Sequence, residues 1–142
     1  MARYEKRMVD GRLRLQFELV VEQAVRKALT LEQVYTVFCR SARPEQITRK
    51  EFQNSTLDSD DFFTGQSPET WFNCMEGEWS RAGRTMHYYM DDAVMDNRDG
   101  TLTAVFLWWE VEADDAEAEA WFDELCKAVL AAQENLELFG RI

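Results

Sequence analysis

The chain has 142 residues, 46% of them hydrophobic and 13% aromatic, and a net charge of −11. That length and apolar content predict a single domain over residues 1–142 with one buried core, and they exclude an intrinsically disordered chain. The charge is divided: residues 1–50 hold 11 Lys/Arg against 6 Asp/Glu, and residues 51–142 hold 5 against 21, an asymmetry that biases the choice of partner.

The first element is a hairpin. Asp10-Gly11 separates two alternating stretches, and Asp-Gly supplies the positive φ values that a two-residue turn needs. Strands are expected over about 3–9 and 12–20; the helical spacing of Leu13, Phe17, Val20, Ala24 and Ala28 is the rival reading. Val21, Ala24, Val25, Ala28 and Leu29 then follow helical spacing, so a helix is predicted over about 21–29. Thr30 and Gln33 form a capping box ahead of Val34, Tyr35 and Phe38, which predicts a second helix to about Arg40. Pro44 stops that run or opens another short helix, and Thr48 with Glu51 is a further capping box. Residues 53–70 are polar and turn-rich, a loop in which Phe62-Phe63 is pinned to the core.

Three strands follow, at about 71–79, 85–95 and 101–111, joined at Arg81-Ala82-Gly83 and Asn97–Gly100. The third is apolar on both faces, with Leu102, Ala104, Phe106 and Trp108 on one and Val105, Leu107, Trp109 and Val111 on the other, as in a central strand covered twice. The last helix starts at Asp114-Asp115 and runs to about Leu138, with an apolar stripe at Ala118, Phe122, Leu125, Val129, Ala132 and Leu136, widened by Trp121 and Cys126. The stripe is expected to lie across the sheet; its other use is a seam for a second copy, giving a homodimer. The fold class is therefore α+β: an N-terminal β-hairpin, short helices, a three-stranded antiparallel meander and a long C-terminal helix packed on the sheet.

Several chemistries are made improbable by the residues themselves. The longest apolar run, Ala104–Trp109, is too short to span a bilayer, the basic residues of the N-terminus precede no apolar leader, and an acidic surface does not favour anionic membranes. Cys39, Cys74 and Cys126 are odd in number and widely spaced, which suits free core thiols in a reducing cytoplasm. His87 is the only histidine, and no zinc spacing, P-loop or nucleophile elbow is present. Tyr89-Met90-Asp91-Asp92 spells a tetrapeptide used by reverse transcriptases, but the chain is far too short for a polymerase and no third carboxylate motif precedes it. Asp91-Asp92 are expected as solvated residues on a strand or bulge. Asn97–Gly100 lacks oxygen donors at the first and twelfth positions of an EF-hand loop, so its Asp-Gly is a turn. No cofactor is expected.

What remains is binding. Glu110, Glu112, Asp114, Asp115, Glu117, Glu119, Asp123 and Glu124 form the densest acidic run, with no Lys or Arg among them. Such a run would attract a basic protein, its carboxylates standing where phosphates normally sit. The expectation is thus a non-enzymatic acidic interaction protein of the cytoplasm, resembling phage or mobile-element inhibitors in character, that binds a basic, nucleic-acid-handling enzyme. Direct nucleic-acid binding through Arg3, Lys6, Arg7, Arg12 and Arg14 is disfavoured by the overall charge, and internal or head-to-tail pairing of the basic N-terminal region with the acidic C-terminal region is the quieter use of those bases. Two alternatives are a small-ligand pocket between sheet and C-terminal helix built from Trp71, Trp79, Tyr88, Trp108 and Trp109, and a divalent-metal-dependent enzyme using Asp91, Asp92, Asp96 and Asp99.

Overall fold

Asp10 and Gly11 sit at φ 51° and 80°, the two left-handed residues that the turn demands, and the strands on either side pair from Val9↔Arg12 to Ala2↔Leu19. This hairpin is the edge of an eight-stranded antiparallel sheet in a computed structural model that describes residues 1–25, 27–53, 73–92 and 95–139. The elements are β1 (Ala2–Val9), β2 (Arg12–Glu22), α1 (Leu31–Ala42), β3 (Gln46–Ile47), β4 (Lys50–Gln53), β5 (Asn73–Arg81), β6 (Arg84–Asp91), β7 (Met95–Asp96), β8 (Thr101–Val111) and α2 (Ala116–Phe139). The strand order is β1-β2-β8-β6-β5-β3, with β4 also on β5 and β7 also on β8. The hairpin and the meander are therefore one sheet, joined where β2 pairs with β8 over Leu13↔Val111 to Glu22↔Thr101. The architecture is α+β, as expected, with one short helix and one long one among the described residues.

Alternation decides what each face carries. Leu15, Phe17 and Leu19 of β2, Val105, Leu107 and Trp109 of β8, Met86, Tyr88 and Met90 of β6, and Met75 and Trp79 of β5 are buried on one side. Both helices lie there. Phe38 of α1 packs on Trp79, Tyr88 and Trp109 at ring-centroid separations of 5.6, 5.0 and 5.9 Å, and Phe122 of α2 packs on Trp109 at 5.1 Å. Trp121 is held between ring and charge, with the Arg81 and Arg84 guanidinium carbons 4.3 and 5.4 Å from its centroid. Each such ring or branched side chain contributes about 1.5–3 kcal/mol by leaving water.

Several expectations need correction. No helix forms over 21–29: β2 runs on to Glu22 and the described residues of 23–30 are irregular. The register shifts between Leu19 and Val20, where Ala104 of β8 is the unpaired extra residue, and Leu19, Val20 and Val21 are buried in succession, so the apolar residues there no longer alternate and their spacing reads as helical. The segment around Thr48 is strand and not helix. The Thr48 hydroxyl accepts from the Glu78 backbone N–H at 3.1 Å instead of capping a turn. β8 is central, and among the described residues both helices lie on its Val105, Leu107 and Trp109 face; on the other face Asp91 and Cys74, in the same rib as Phe106, are also buried. Asp91 and Asp92 are not solvated: Asp91 is 4% exposed, and Asp92 accepts the Leu31 N–H at the start of α1 at 3.0 Å. The loop expected at 53–70, with Phe62-Phe63, lies outside the described residues except at Gln53, which ends β4.

Candidate functional site

The face of the sheet opposite the helices is built by the other residues of each strand. Register places them in three ribs across five strands. Arg7, Arg14, Glu110, His87 and Glu78 form the first; Glu5, Gln16, Trp108, Tyr89 and Glu76 the second; Arg3, Glu18, Phe106, Asp91 and Cys74 the third. Arginines gather on the β1–β2 side. Toward β5 and β6 the ribs carry Glu76, Glu78 and Asp91 around an aromatic centre.

That centre is ordered by stacking. Trp108 lies parallel to Tyr89 (centroids 5.4 Å apart, 7° between planes) and near-parallel to His87 (5.4 Å, 24°), while Phe106 meets Tyr89 edge-on at 6.2 Å. Arg14 lies over the Trp108 ring at 4.3 Å and donates from both Nε and Nη2 to Glu110 Oε1. His87 Nε2 lies 3.8 Å from Glu76. The Tyr89 hydroxyl donates to Asp91 Oδ2 at 2.9 Å, and burial, reinforced by that carboxylate, pushes its pKa far up, so it stays a donor. Burial likewise raises the Cys74 thiol, which keeps it out of the reactive thiolate form.

The acidic run is placed differently from its appearance in sequence. Six of its eight members are met by bases: Glu110 by Arg14, Glu112 by Arg12 at 3.9 Å, Asp115 and Glu117 by Arg84 at 3.2 and 2.7 Å, Glu119 by Lys6 at 3.1 Å and Asp123 by Lys127 at 3.0 Å. Asp115 also caps α2 by accepting the Ala118 N–H at 3.0 Å, and Asp114 sits in the preceding turn at φ 67°. The run does not share one surface: Glu110 is on the face opposite the described helices and Glu119 on the helix side.

The two alternative sites are dispersed. Trp79, Tyr88 and Trp109 fill one another's space inside the core, with Trp79 and Trp109 centroids 4.5 Å apart, whereas Trp108 is on the opposite face and Trp71 lies outside the described residues. Each Asp of the other cluster serves a local bond. Asp96 accepts the Arg98 N–H at 2.7 Å, Asp99 accepts the Thr101 N–H at 3.1 Å, and Asp91 and Asp92 are spent on Tyr89 and Leu31. Among the described residues no three His, Cys, Asp or Glu side chains are placed to hold a metal ion. No helix among them is long and apolar enough to cross a membrane.

Sequence reasoning named Trp108 and Tyr89 but missed their joining with Arg14, Glu110, His87 and Glu76. The available signal was the apolar second face of β8; which side chains surround it depends on register, which no single strand carries. Compared with known protein families, with curated proteins and with solved structures, the chain matches none.

Proposed function

We propose that this protein is a non-enzymatic, cytoplasmic interaction protein that binds a basic protein on the face of its sheet opposite the two described helices. The observation that carries the reading is the stacked Trp108–Tyr89–His87 surface bordered by Glu76, Glu78 and Glu110. Arg14 already demonstrates the chemistry in miniature, a guanidinium laid on Trp108 and tied to a carboxylate. Arginines of a partner would repeat that arrangement toward β5 and β6, where the ribs are acidic. Central aromatic anchors of this kind dominate binding energy, while bordering charges set orientation and encounter rate. The paired carboxylates of 112–124 then serve chiefly to hold the N-terminal hairpin and Arg84. A partner that handles nucleic acid fits by charge, and the protein would compete for its basic groove.

The test compares capture from lysate by the wild type, Trp108→Ala, Glu76→Lys and a fourfold neutralised variant (Glu112→Gln, Asp115→Asn, Glu119→Gln, Asp123→Asn). A salt-sensitive basic partner retained by the fourfold variant and weakened about 30-fold by Trp108→Ala supports binding at the Trp108 face. Displacement of that partner by DNA or RNA identifies it as a nucleic-acid handler. Loss of the partner only in the fourfold variant would move the site to the acidic run.

A further inference from the structure

We propose that two copies of this chain associate edge to edge through β1, extending the sheet across a two-fold axis at Lys6. The two edges of the sheet are unequal. One is broken into β3 and β4, of two and four residues; the other is β1, eight residues long and paired on one side only among the described residues. Met1 O accepts the Val20 N–H at 2.9 Å, so antiparallel alternation turns the odd-numbered backbone groups of β1 toward β2 and leaves those of Ala2, Tyr4, Lys6 and Met8 outward, with no strand partner among the described residues. Such a row is a template for another strand. It is also where apolar surface is exposed. Of the five large hydrophobic side chains exposed among the described residues, Met1, Tyr4 and Met8 belong to this strand or adjoin it.

The charges of β1 select a second copy as the occupant. With Lys6 facing Lys6, Glu5 stands opposite the second copy's Arg7 and Arg7 opposite its Glu5, while Tyr4 meets the second copy's Met8 on the helix side. Opposite charges directly across an antiparallel pair, and sulfur beside an aromatic ring, are both favourable. The Lys6 charge is answered within its own chain by Glu119 at 3.1 Å. Centring on Glu5 instead would set Glu5 against Glu5 and Arg3 against Arg7. Centring on Tyr4 pairs Arg3 with Glu5 but overlaps five residues (2–6) of the strand instead of seven (3–9). A strand charged only to repel neighbours would carry one sign; this one is complementary to itself. The stripe of α2 is already used within the chain from Ala118 to Val129, where its residues are buried.

Sedimentation equilibrium over a concentration series tests this. The wild type should pass from 16.7 kDa to twice that mass. Lys6→Pro removes an outward N–H and spares the β1–β2 ladder, so it should remain monomeric with an unchanged circular dichroism spectrum. Glu5→Arg and Arg7→Glu should each abolish the dimer, and the two combined should restore it, a rescue that stays decisive if the proline variant fails to fold. A wild type that is monomeric throughout, or a dimer that persists in both Lys6→Pro and Glu5→Arg, overturns the proposal.

Discussion

At Gly77 the chain passes so close that a Cβ would lie 2.0 Å from the Thr48 carbonyl oxygen, a backbone atom that cannot swing aside. The same oxygen accepts the Tyr88 hydroxyl at 2.9 Å, so the crossing is held from both directions. Gly77→Ala should force β3 and β4 off β5 and cost about 2–3 kcal/mol, measured by urea denaturation; a cost near zero would mean the crossing yields freely. Nothing in the sequence announces this glycine, because the clash is with a residue 29 positions away. Asp92 offers a second test at this scale. Burial raises its pKa even though the Leu31 N–H opposes the shift. A carboxyl whose folded pKa is raised favours the native state below the ordinary aspartate value and works against it as pH climbs through the raised one. Asp92→Asn should therefore raise Tm at about pH 7 and lose most of that gain by about pH 3. An equal effect at both pH values would show that charge is not the cause.

The two helices show where pattern suffices and where it does not. Thr30 and Gln33 exchange both capping bonds, as their spacing foretells, because a capping box is entirely local. Thr30→Ala should cost about 1 kcal/mol in chemical denaturation. The segment just before it was legible only as apolar spacing, and that spacing misleads. Its order comes from Gln133, buried on α2, which accepts the Leu29 N–H at 3.1 Å and donates to the Lys27 carbonyl at 3.0 Å. The contact spans more than a hundred residues, and Gln133 reads in sequence as a polar gap in the stripe. Gln133→Leu leaves two backbone groups without a partner and should cost about 1–3 kcal/mol, more than the cap. A smaller loss than Thr30→Ala would place the holding interaction elsewhere.

For the molecule as a whole, the divided charge was plain in the sequence and its use was not. Lys6, Arg12 and Arg14 of the hairpin meet Glu119, Glu112 and Glu110, so part of the asymmetry is used in joining the two ends of the chain. The Lys6–Glu119 and Arg12–Glu112 pairs are largely exposed and worth under about 1 kcal/mol each, and the part-buried Arg14–Glu110 pair is screened less, so raising salt should lower Tm only slightly while strongly weakening a basic partner docked around Trp108. The α+β architecture was readable because hairpins, caps and turns are short-range signals. The Trp108 surface was not, because it is assembled from five strands whose order only the folded sheet fixes.

That order also sets a timetable. β2 finds its neighbour in β8, whose first residue follows the end of β2 by 79 positions. On a ribosome adding roughly 5–20 residues each second, the finished hairpin waits several seconds before β8, and after it the α2 helix that covers Leu15 and Leu19, is made. During that interval its greasy side is open to any chaperone or stray nascent chain. The strong turn at Asp10-Gly11 ensures that what waits is at least a paired ribbon and not a loose thread.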